Sequence, residues 1–340
     1  MSQGRVDVAV VGAGFAGLSA ALTLRRHRRS VIVFDGGPSR NAWSAEVHGY
    51  LGASGLSGPE LRQVASTQVA QVGGQLVPGR VKSVRPTAVK DPAAARDPTA
   101  ADDPTAAEDE ARADGDDPID GALDGGFSVG LTDDRVWRAD RVLLATGVRD
   151  EHPDIEGFSE FFGRSVHVCP HCDGYEWRDQ PVAVIAWSEQ TRPFSLTVAH
   201  WGSPLTVLTH GHRDQPDDSA RASLERQGIS VVTTAIRRLE GRDGQLEAVR
   251  FRDGSELPVR AAFFNIDQRL ETGLAESLGC ALGDEGQIQV DEDMRTSVTG
   301  VWAAGDVVGG EQFVAIATAH GVKAALDIHA SLPRRTEPGQ

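Results

Sequence analysis

The sequence predicts an α/β protein, and three observations support this prediction. An apolar run at 6–11 is followed by a glycine-rich turn, a helical stretch and a second apolar run at 31–35. Two later segments, 141–147 and 299–306, each contain a short apolar strand that ends near a glycine. With 340 residues, of which 40% are hydrophobic, the chain is long enough to form two globular domains.

The first 35 residues have the pattern of a dinucleotide-binding unit. The sequence Gly-Ala-Gly-Phe-Ala-Gly at 12–17 stands between the first strand and the first helix. Gly12 allows a tight turn, Gly14 lets backbone amides approach a pyrophosphate, and Gly17 lets helix and strand pack closely. Asp35, at the end of the next strand, can accept a hydrogen bond from a ribose hydroxyl and disfavours a 2′-phosphate.

The residues after this unit form a turn, a loop and a helix. Arg40 and Asn41 lie in the turn, where they could contact a cofactor. For His48 and Tyr50, a packed loop and contact with the cofactor ring are both open interpretations. The apolar spacing then predicts a helix over 61–72.

An acidic segment interrupts the first half of the chain. Residues 87–126 contain twelve Asp or Glu against three Lys or Arg, a net charge of −9 in a chain of −15. The segment is rich in Ala, Asp and Pro, which predicts a disordered, solvated insertion between two paired strands at 77–84 and 127–131. Docking of a basic partner is the alternative. No basic stripe suggests a nucleic-acid partner.

The later glycine-ended strands add features that suit a flavin. The segment 141–147 predicts a buried strand returning to a glycine turn, and a helix is predicted over 311–328. Asp306, at a strand end, can bond a polyol chain, and the amides of Gln312 and Phe313 can hold an anionic ring oxygen. The predicted cofactor contacts in these segments are Ala145, Thr146, Gly147, Gly305, Asp306, Gln312 and Phe313.

The cysteines indicate redox chemistry. The N-terminal residues lack the pattern of a signal peptide, and no apolar run reaches the roughly 20 residues that span a bilayer, so we expect a cytoplasmic protein without a membrane partner. Cys169 and Cys172 have a spacing that allows a disulfide on the first turn of a helix. Because Cys280 stands alone in an apolar stretch and no second Cys-x-x-Cys exists, we expect a buried packing role for it and no metal.

Four motifs in order resemble the low-molecular-weight thioredoxin reductases. They are the glycines of 12–17, Ala145-Thr146-Gly147, Cys169-Pro170-His171-Cys172-Asp173-Gly174 and Ala304-Gly305-Asp306. The resemblance covers nearly the whole chain except the insertion. It implies two Rossmann-like domains of three-layer ββα type, FAD as cofactor and a homodimer. By this resemblance, 1–160 and 276–340 form the FAD domain, and 161–275 form an inserted central domain with the cysteine pair.

The resemblance also implies roles around the cysteines. Cys172 would lie next to the flavin, Cys169 would exchange with an external thiol or disulfide, and Asp173 would shuttle the proton. From the residues themselves, His171 could raise the thiolate fraction when protonated, and a solvent-facing role for it is equally open. The other candidates for acid, base or charge near the sulfurs are His167, His152 and Asp267.

The central segment departs from the reductases at the place where NADPH would bind. An apolar strand at 181–185 is followed by Ala-Trp-Ser-Glu-Gln-Thr at 186–191, which contains no glycine. The side chains of Trp187 and Glu189 are expected to fill the space that a pyrophosphate needs, and the carboxylate would repel it. His212 and Arg213 are expected to lie in a solvated turn. Reduction of a disulfide with NADPH is therefore not the expected reaction.

The sequence favours electron flow in the opposite direction. The chain resembles the dithiol oxidases that close disulfides in gliotoxin- and holomycin-type natural products, which implies a small dithiol substrate, with dioxygen as acceptor and hydrogen peroxide as product. Two alternatives stay open. One is reduction of a disulfide with electrons from ferredoxin or from an atypically bound nicotinamide, and the other is a flavin-bearing sensor of thiol state.

Overall fold

The computed structural model describes residues 2–53, 55–87, 125–214 and 216–333. Residues 88–124, which are nearly all of the acidic insertion, lie outside these ranges, and their disorder stays a prediction. The strands are β1 (Ser2–Val11), β2 (Val31–Asp35), β3 (Gln75–Pro78), β4 (Val81–Pro86), β5 (Phe127–Leu131), β6 (Val136–Leu144), β7 (Val148–Asp150), β8 (Val166–His167), β9 (Val182–Ala186), β10 (Leu205–Leu208), β11 (Ser230–Val232), β12 (Ile236–Arg242), β13 (Gln245–Phe251), β14 (Glu256–Pro258), β15 (Ala261–Asn265), β16 (Gln268–Leu270) and β17 (Val301–Ala303).

The described residues form eight α-helices, which are interspersed among the strands along the chain. Their order follows the strands as an α/β chain requires. They are α1 (Phe15–Arg26), α2 (Gly58–Gln71), α3 (Phe158–Phe161), α4 (Pro170–Asp173), α5 (Thr191–Val198), α6 (Asp218–Arg226), α7 (Gly273–Leu278) and α8 (Val314–Ser331). Across these described elements, no helix is both long and apolar enough to cross a membrane.

The first sheet is built from both ends of the chain. Its order is β3-β2-β1-β6-β5-β4, and β17 pairs with the carboxyl-terminal half of β6. The strands β1, β2, β3, β6 and β17 are parallel, whereas β4, β5 and β6 are joined antiparallel. The parallel strands therefore end at one edge, where ligands bind in open α/β sheets.

The first sheet packs between two layers. Val8 and Val10 of β1 point into a core that includes α1 and α8, while Ala9 and Val11 point into a core that includes the β4–β5 hairpin. This alternation with a period of two is expected of a strand buried on both faces. The two long helices touch closely, because a Cβ at Gly321 of α8 would come within 3.0 Å of backbone atoms of α1.

The second sheet has the same three-layer plan. Its parallel order is β11-β10-β9-β15-β8. Val182 and Val184 of β9 pack with residues of α5 and α6, whereas Ala183 and Ile185 pack with the antiparallel sheet β12-β13-β14. The predicted α/β class, with two Rossmann-like sheets of ββα type, is confirmed.

A two-stranded antiparallel ribbon, β7 with β16, lies where the chain passes between the segments that build the two sheets. The predicted domain boundaries at 160 and 276 stay a prediction, although the sheets draw their strands from the two predicted groups of residues.

Three predicted elements have different bounds in the structure. The helix predicted over 61–72 begins at Gly58, because Ser57 and Glu60 form a capping box and Pro59 suits the first turn. The run 77–84 is two strands, since Gly79, at φ +146°, separates β3 from β4. The helix predicted over 311–328 begins at Val314 and ends at Ser331.

Candidate functional site

A cavity of about 860 Å³ opens at the carboxyl ends of the parallel strands of the first sheet. It extends from the turn after β1 to the cysteine pair at the start of α4. The predicted site residues other than Gly17 and His171 all line it. They are Gly12, Gly14, Asp35, Arg40, Asn41, Ala145, Thr146, Gly147, Cys169, Cys172, Asp173, Gly305, Asp306, Gln312 and Phe313.

The glycine turn has the geometry that a pyrophosphate requires. Gly12 has φ +114°, and a Cβ there would lie within 3.0 Å of the Ala145 carbonyl oxygen. A Cβ at Gly17 would meet the carbonyl of Gly12 equally closely, so this glycine packs helix against turn and does not line the cavity. Gly14 is the N-cap of α1, and a Cβ there would have no heavy atom within 4 Å. Its backbone is therefore open to a ligand.

Asp35 lies at the end of β2, as the dinucleotide pattern predicts, and it has a partner that the sequence did not indicate. Its Oδ2 accepts a hydrogen bond of 2.5 Å from Arg62 Nη2, and its Oδ1 accepts one of 3.3 Å from Gly37 N. Arg62, on α2, also donates to the Ala13 carbonyl. Each carboxylate oxygen retains a lone pair, so a ribose hydroxyl can still bind.

Arg40 joins both ends of the chain inside the cavity. Its guanidinium donates two hydrogen bonds to Asp150, of 2.7 and 2.6 Å, and contacts Asp306 at 3.3 Å. It also donates to the side-chain oxygen of Gln312. Burial lowers the pKa of Arg40, but the bonds and charges of Asp150 and Asp306 outweigh burial and raise it. Asp150 was not predicted, because nothing in the sequence pairs it with Arg40.

Asp306 and Ser39 offer polar atoms that suit the hydroxyl-bearing chain of FAD. Burial raises the pKa of Asp306, and Arg40 only partly opposes this effect. The Ser39 hydroxyl is buried and has no hydrogen-bond partner among the protein atoms around it. Buried polar groups usually have partners, so the Ser39 hydroxyl is placed to meet a polar ligand. Together with the open turn at Gly14, Asp306 and Ser39 fit FAD.

The cysteine pair forms a disulfide at the edge of the cavity. Cys169 follows β8 as the N-cap of the single-turn helix α4, and it is bonded to Cys172. The amide of Cys172 lies 3.1 Å from Cys169 Sγ. After reduction, this N–H would stabilise a thiolate on Cys169, which is the reactive form of the sulfur in exchange.

Asp173 has a buried neighbour on the side facing β8. Asp173 Oδ2 lies 3.4 Å from His167 Nδ1, and the Trp177 indole donates a hydrogen bond of 3.0 Å to His167 Nε2. His167 lines the cavity together with Asp173 and both cysteines. The sequence identified this histidine only as a minor candidate, because the turn that brings Trp177 back over it is not visible in a linear pattern.

The remaining candidate bases lie in different surroundings. His171 is exposed, with its ring edge-on to Trp201 at 5.8 Å. His152 lines the cavity and packs against the ring of Phe162 at 4.4 Å, whereas Asp267 is exposed and is not part of the lining.

The structure also places His48, Tyr50 and the third cysteine. His48 and Tyr50 line the cavity, and His48 Nδ1 lies 3.5 Å from the Glu176 carboxylate. Cys280 is buried in the core on the hairpin side of the first sheet, and burial raises the pKa of its thiol. In the ranges that the structure covers, no three His, Cys, Asp or Glu side chains are grouped to hold a metal ion.

The turn after β9 is closed by side chains. The indole of Trp187 stacks on the His212 ring at 5.1 Å and lies 5.9 Å from the His210 ring. The amides of Ser188 and Gln190 bond to the side chains of Thr191 and Ser188 within the same turn. Glu189 is exposed, and its role in filling the space that a pyrophosphate needs stays a prediction. His212 is part of the stack, and the prediction of a solvated turn holds for Arg213 alone.

Comparison with known proteins agrees with this geometry. The model of the pyridine nucleotide-disulphide oxidoreductase family matches residues 6–321. Thioredoxin reductase tcpT of Claviceps purpurea (strain 20.1) is 30% identical over 88% of this chain and 86% of its own length. Thioredoxin reductase sirT of Leptosphaeria maculans is 27% identical over 95% and 93%.

Solved structures give the same result. The crystal structure of HlmI has 30% identity and a TM-score of 0.81, with 96% of this chain and 92% of that chain covered. A putative thioredoxin reductase TrxB from Bacillus anthracis has 28% identity and a TM-score of 0.79, with 96% and 97% covered. The family, the cavity that fits FAD and the adjoining disulfide lead to one conclusion: the chain belongs to the pyridine nucleotide-disulphide oxidoreductase family and is a thioredoxin reductase-like flavin thiol/disulfide oxidoreductase.

Proposed function

We propose that this protein is an FAD-dependent dithiol oxidase, which closes a disulfide within a small dithiol and passes the electrons to dioxygen. The observation that supports this best is the stack of Trp187 on His212, which occupies the turn where a nicotinamide dinucleotide needs glycine. With the Cys169–Cys172 disulfide at the edge of the FAD cavity, substrate thiols are the electron source that the site can still accept.

The cysteines would carry out two exchange steps. A substrate thiolate attacks Cys169 Sγ, so that a mixed disulfide forms and Cys172 leaves as a thiolate. The second substrate thiolate then attacks the substrate sulfur of this mixed disulfide and releases Cys169. The product is an intramolecular disulfide, and the enzyme holds two electrons as its dithiol. Asp173, which lines the cavity with both sulfurs, is the proposed acceptor of the thiol protons.

The turnover closes through the cofactor. When bound, FAD would supply an acceptor for the two electrons of the enzyme dithiol, which returns to the disulfide, and a route for these electrons to dioxygen, with hydrogen peroxide as the product. The residues that would hold it are the glycine turn at 12–17, Asp35, Arg40 and Asp306. Overall, one dithiol and one dioxygen give one disulfide and one hydrogen peroxide.

The reverse direction is the second candidate. The names of the relatives tcpT and sirT, both thioredoxin reductases, favour reduction of a disulfide. This reaction needs an electron donor other than NADPH bound in the usual way, because the amides of the turn after β9 are bonded internally.

An anaerobic titration distinguishes these functions. The purified holoprotein is mixed with dithiothreitol in one sample and with NADPH in another, and the flavin absorbance band is followed. We expect dithiothreitol to bleach the band and air to restore it with about one peroxide per dithiol. Prompt bleaching by NADPH would exclude the oxidase proposal, and no bleaching by either reagent would favour a ferredoxin-dependent enzyme or a sensor.

Two matched variants test the role of the pair. In Cys169→Ser and Cys172→Ser the disulfide cannot form, so dithiothreitol should no longer bleach the flavin. We expect a loss of at least about 1,000-fold in the reduction rate, since covalent exchange is removed. Cys280→Ser, at a buried cysteine outside the cavity, should keep the wild-type rate. Reduction that survives in both variants would show that the cysteine pair is not the entry point.

Assembly as a homodimer and a cytoplasmic location are further proposals. Val322 and Leu326 are exposed apolar residues four positions apart, so they share one face of α8. Trp43 and Leu51 are exposed as well, Leu51 completely. Light scattering after size exclusion should give twice the mass of the 36.2 kDa chain. A mass of one chain would contradict the dimer.

A further inference from the structure

His167 is a buried histidine whose two ring nitrogens both face polar partners. It ends β8, two residues before Cys169, and only 8% of its surface is exposed. Nε2 accepts the 3.0 Å hydrogen bond from Trp177, and Nδ1 faces the Asp173 carboxylate at 3.4 Å. The ring of Phe263, on β15, packs at 5.6 Å and closes the apolar side. The ring therefore has little freedom to turn.

The Trp177 contact determines where the His167 proton is. An indole N–H can only donate, so His167 Nε2 must accept and cannot carry a proton while this bond exists. In the neutral ring the proton is then on Nδ1, which faces Asp173. A doubly protonated ring would place an N–H against the indole N–H. The contact thus keeps the ring neutral and aims a donor at the carboxylate.

Other charged groups lie near His167 and Asp173. His167 and Asp173 also line a second, adjoining cavity of about 240 Å³. Its charged and titratable side chains come from three segments of the chain. They are Glu46 and His48 from the loop before α2, Arg164 from the loop before β8, and Glu176 from the turn after α4. His48 is paired with Glu176 at 3.5 Å, and the polar contacts to the His167 ring within the described residues are those of Asp173 and Trp177.

We propose that His167 is a positioning residue for Asp173, held by Trp177 as a neutral donor through Nδ1–H. This arrangement orients the carboxylate toward the cysteine pair as a proton acceptor while adding no positive charge beside it. The proposal rests on the proposed function, in which Asp173 takes the thiol protons. The Nδ1 to Oδ2 distance is only a few tenths of an ångström longer than an ordinary N–H···O bond.

The first test does not depend on turnover. Nitrogen-15 NMR of histidine-labelled protein distinguishes the two neutral tautomers from the charged ring, and His167→Asn identifies the signals by their loss. We expect the wild-type ring to carry its proton on Nδ1 and none on Nε2, because Nε2 accepts from the indole. In Trp177→Phe, Nε2 loses its donor, so we expect the other tautomer, with the proton on Nε2, to become populated. A proton on Nε2 in the wild-type protein would overturn the proposal.

The second test measures the reaction of the site. The rate of flavin reduction by dithiothreitol is recorded against pH for wild type and three variants. Asn can place its side-chain N–H where Nδ1–H is, so His167→Asn should stay within about threefold of wild type, whereas His167→Phe should lose about tenfold or more. Trp177→Phe should lose rate in the same direction as His167→Phe, because Nδ1–H is no longer held toward Asp173. Equal losses in the Asn and Phe variants would show that the donor is not what matters.

The two tests separate this proposal from the proposed function. If dithiothreitol does not reduce the wild-type flavin, the oxidase proposal fails, but the NMR experiment still decides the tautomer of His167. Circular dichroism melting of His167→Phe shows whether the variant folds. If it does not fold, Trp177→Phe and His167→Asn still give opposite expectations for the rate of flavin reduction.

Discussion

Asp306 is a buried carboxyl group whose protonation is coupled to the stability of the apoprotein. Burial raises its pKa in the folded state, with Arg40 opposing the effect. The folded chain therefore holds this proton more tightly than the unfolded chain does. By linkage, the contribution of Asp306 to stability is greatest at low pH and falls as the pH rises above the ordinary carboxyl value of about 3.9.

We expect Asp306→Asn to change the pH dependence of the melting temperature. In wild-type apoprotein, part of the change in Tm as the pH rises above the ordinary carboxyl value comes from ionisation of Asp306, and the variant should lack this part. FAD should bind the variant about tenfold more weakly, because a charged acceptor is lost. Melting followed by circular dichroism and a flavin titration measure both effects. Exposed Asp284→Asn should change neither, and an unchanged pH profile in Asp306→Asn would contradict the assignment.

At the scale of single residues, the sequence could predict those candidate site residues that have a single physical role. Gly12, Gly14 and Gly17 are specified by backbone geometry, which a local pattern expresses directly. The partners Arg62 and Asp150 could not be predicted in this way. They become neighbours of Asp35 and Arg40 only after α2 and the β7–β16 ribbon are in place.

At the scale of the first strand, turn and helix, two glycines should respond in opposite ways to the same change. Gly12→Ala places a methyl group against the Ala145 carbonyl at positive φ, so we expect a loss of at least about 3 kcal/mol of folding free energy or no soluble protein. Gly14→Ala meets no protein atom within 4 Å, so its apoprotein should melt within about 2 °C of wild type.

The second glycine variant, Gly14→Ala, should fold but should be impaired in cofactor binding. The added methyl group projects into the cavity, so FAD binding by Gly14→Ala should weaken by about tenfold or more. Fluorescence titration of the apoprotein with FAD provides the measurement. If Gly14→Ala binds FAD normally, the cofactor does not lie against this turn.

The elements themselves were predictable where hydrophobic periodicity was continuous. The strands β2 and β9 match their apolar runs, and the pairing of β4 with β5 around the insertion is confirmed. The first residues of α2 and α8 were not predictable from periodicity. A helix start depends on the local conformation and contacts of the N-cap residue, which is Ser57 for α2 and Phe313 for α8.

At the scale of the whole molecule, the acidic segment should be dispensable for the reaction. Both flanks are fixed, since Pro86 is opposite Phe127 and Thr87 N bonds to Gly126 O at 2.9 Å. Replacing 89–124 by a short Gly-Ser linker should leave the rate of flavin reduction within about twofold and Tm nearly unchanged, since loop length affects stability weakly. A large loss of rate would indicate that the segment takes part in the site.

The two-sheet architecture was predictable as a whole only through the resemblance to a family. Periodicity could indicate strands and helices, but not that β17 would be inserted beside β6, some 160 residues earlier in the chain. Pairing over such a distance depends on the complete fold, and no local signal specifies it. The Trp187 stack was predictable in part, because the missing glycines could be seen while its partner His212 could not be chosen.

The late position of β17 and α8 in the chain has a consequence for biosynthesis. A ribosome makes the strands of the second sheet, 166–265, before it reaches β17 at Val301. The cavity that fits FAD is lined in part by Ala304 to Asp306 and Gln312 to Ala315. A nascent chain can therefore complete its second sheet first, whereas this cavity is assembled only after these later residues have been made and residue 19 of α1 meets residue 318 of α8.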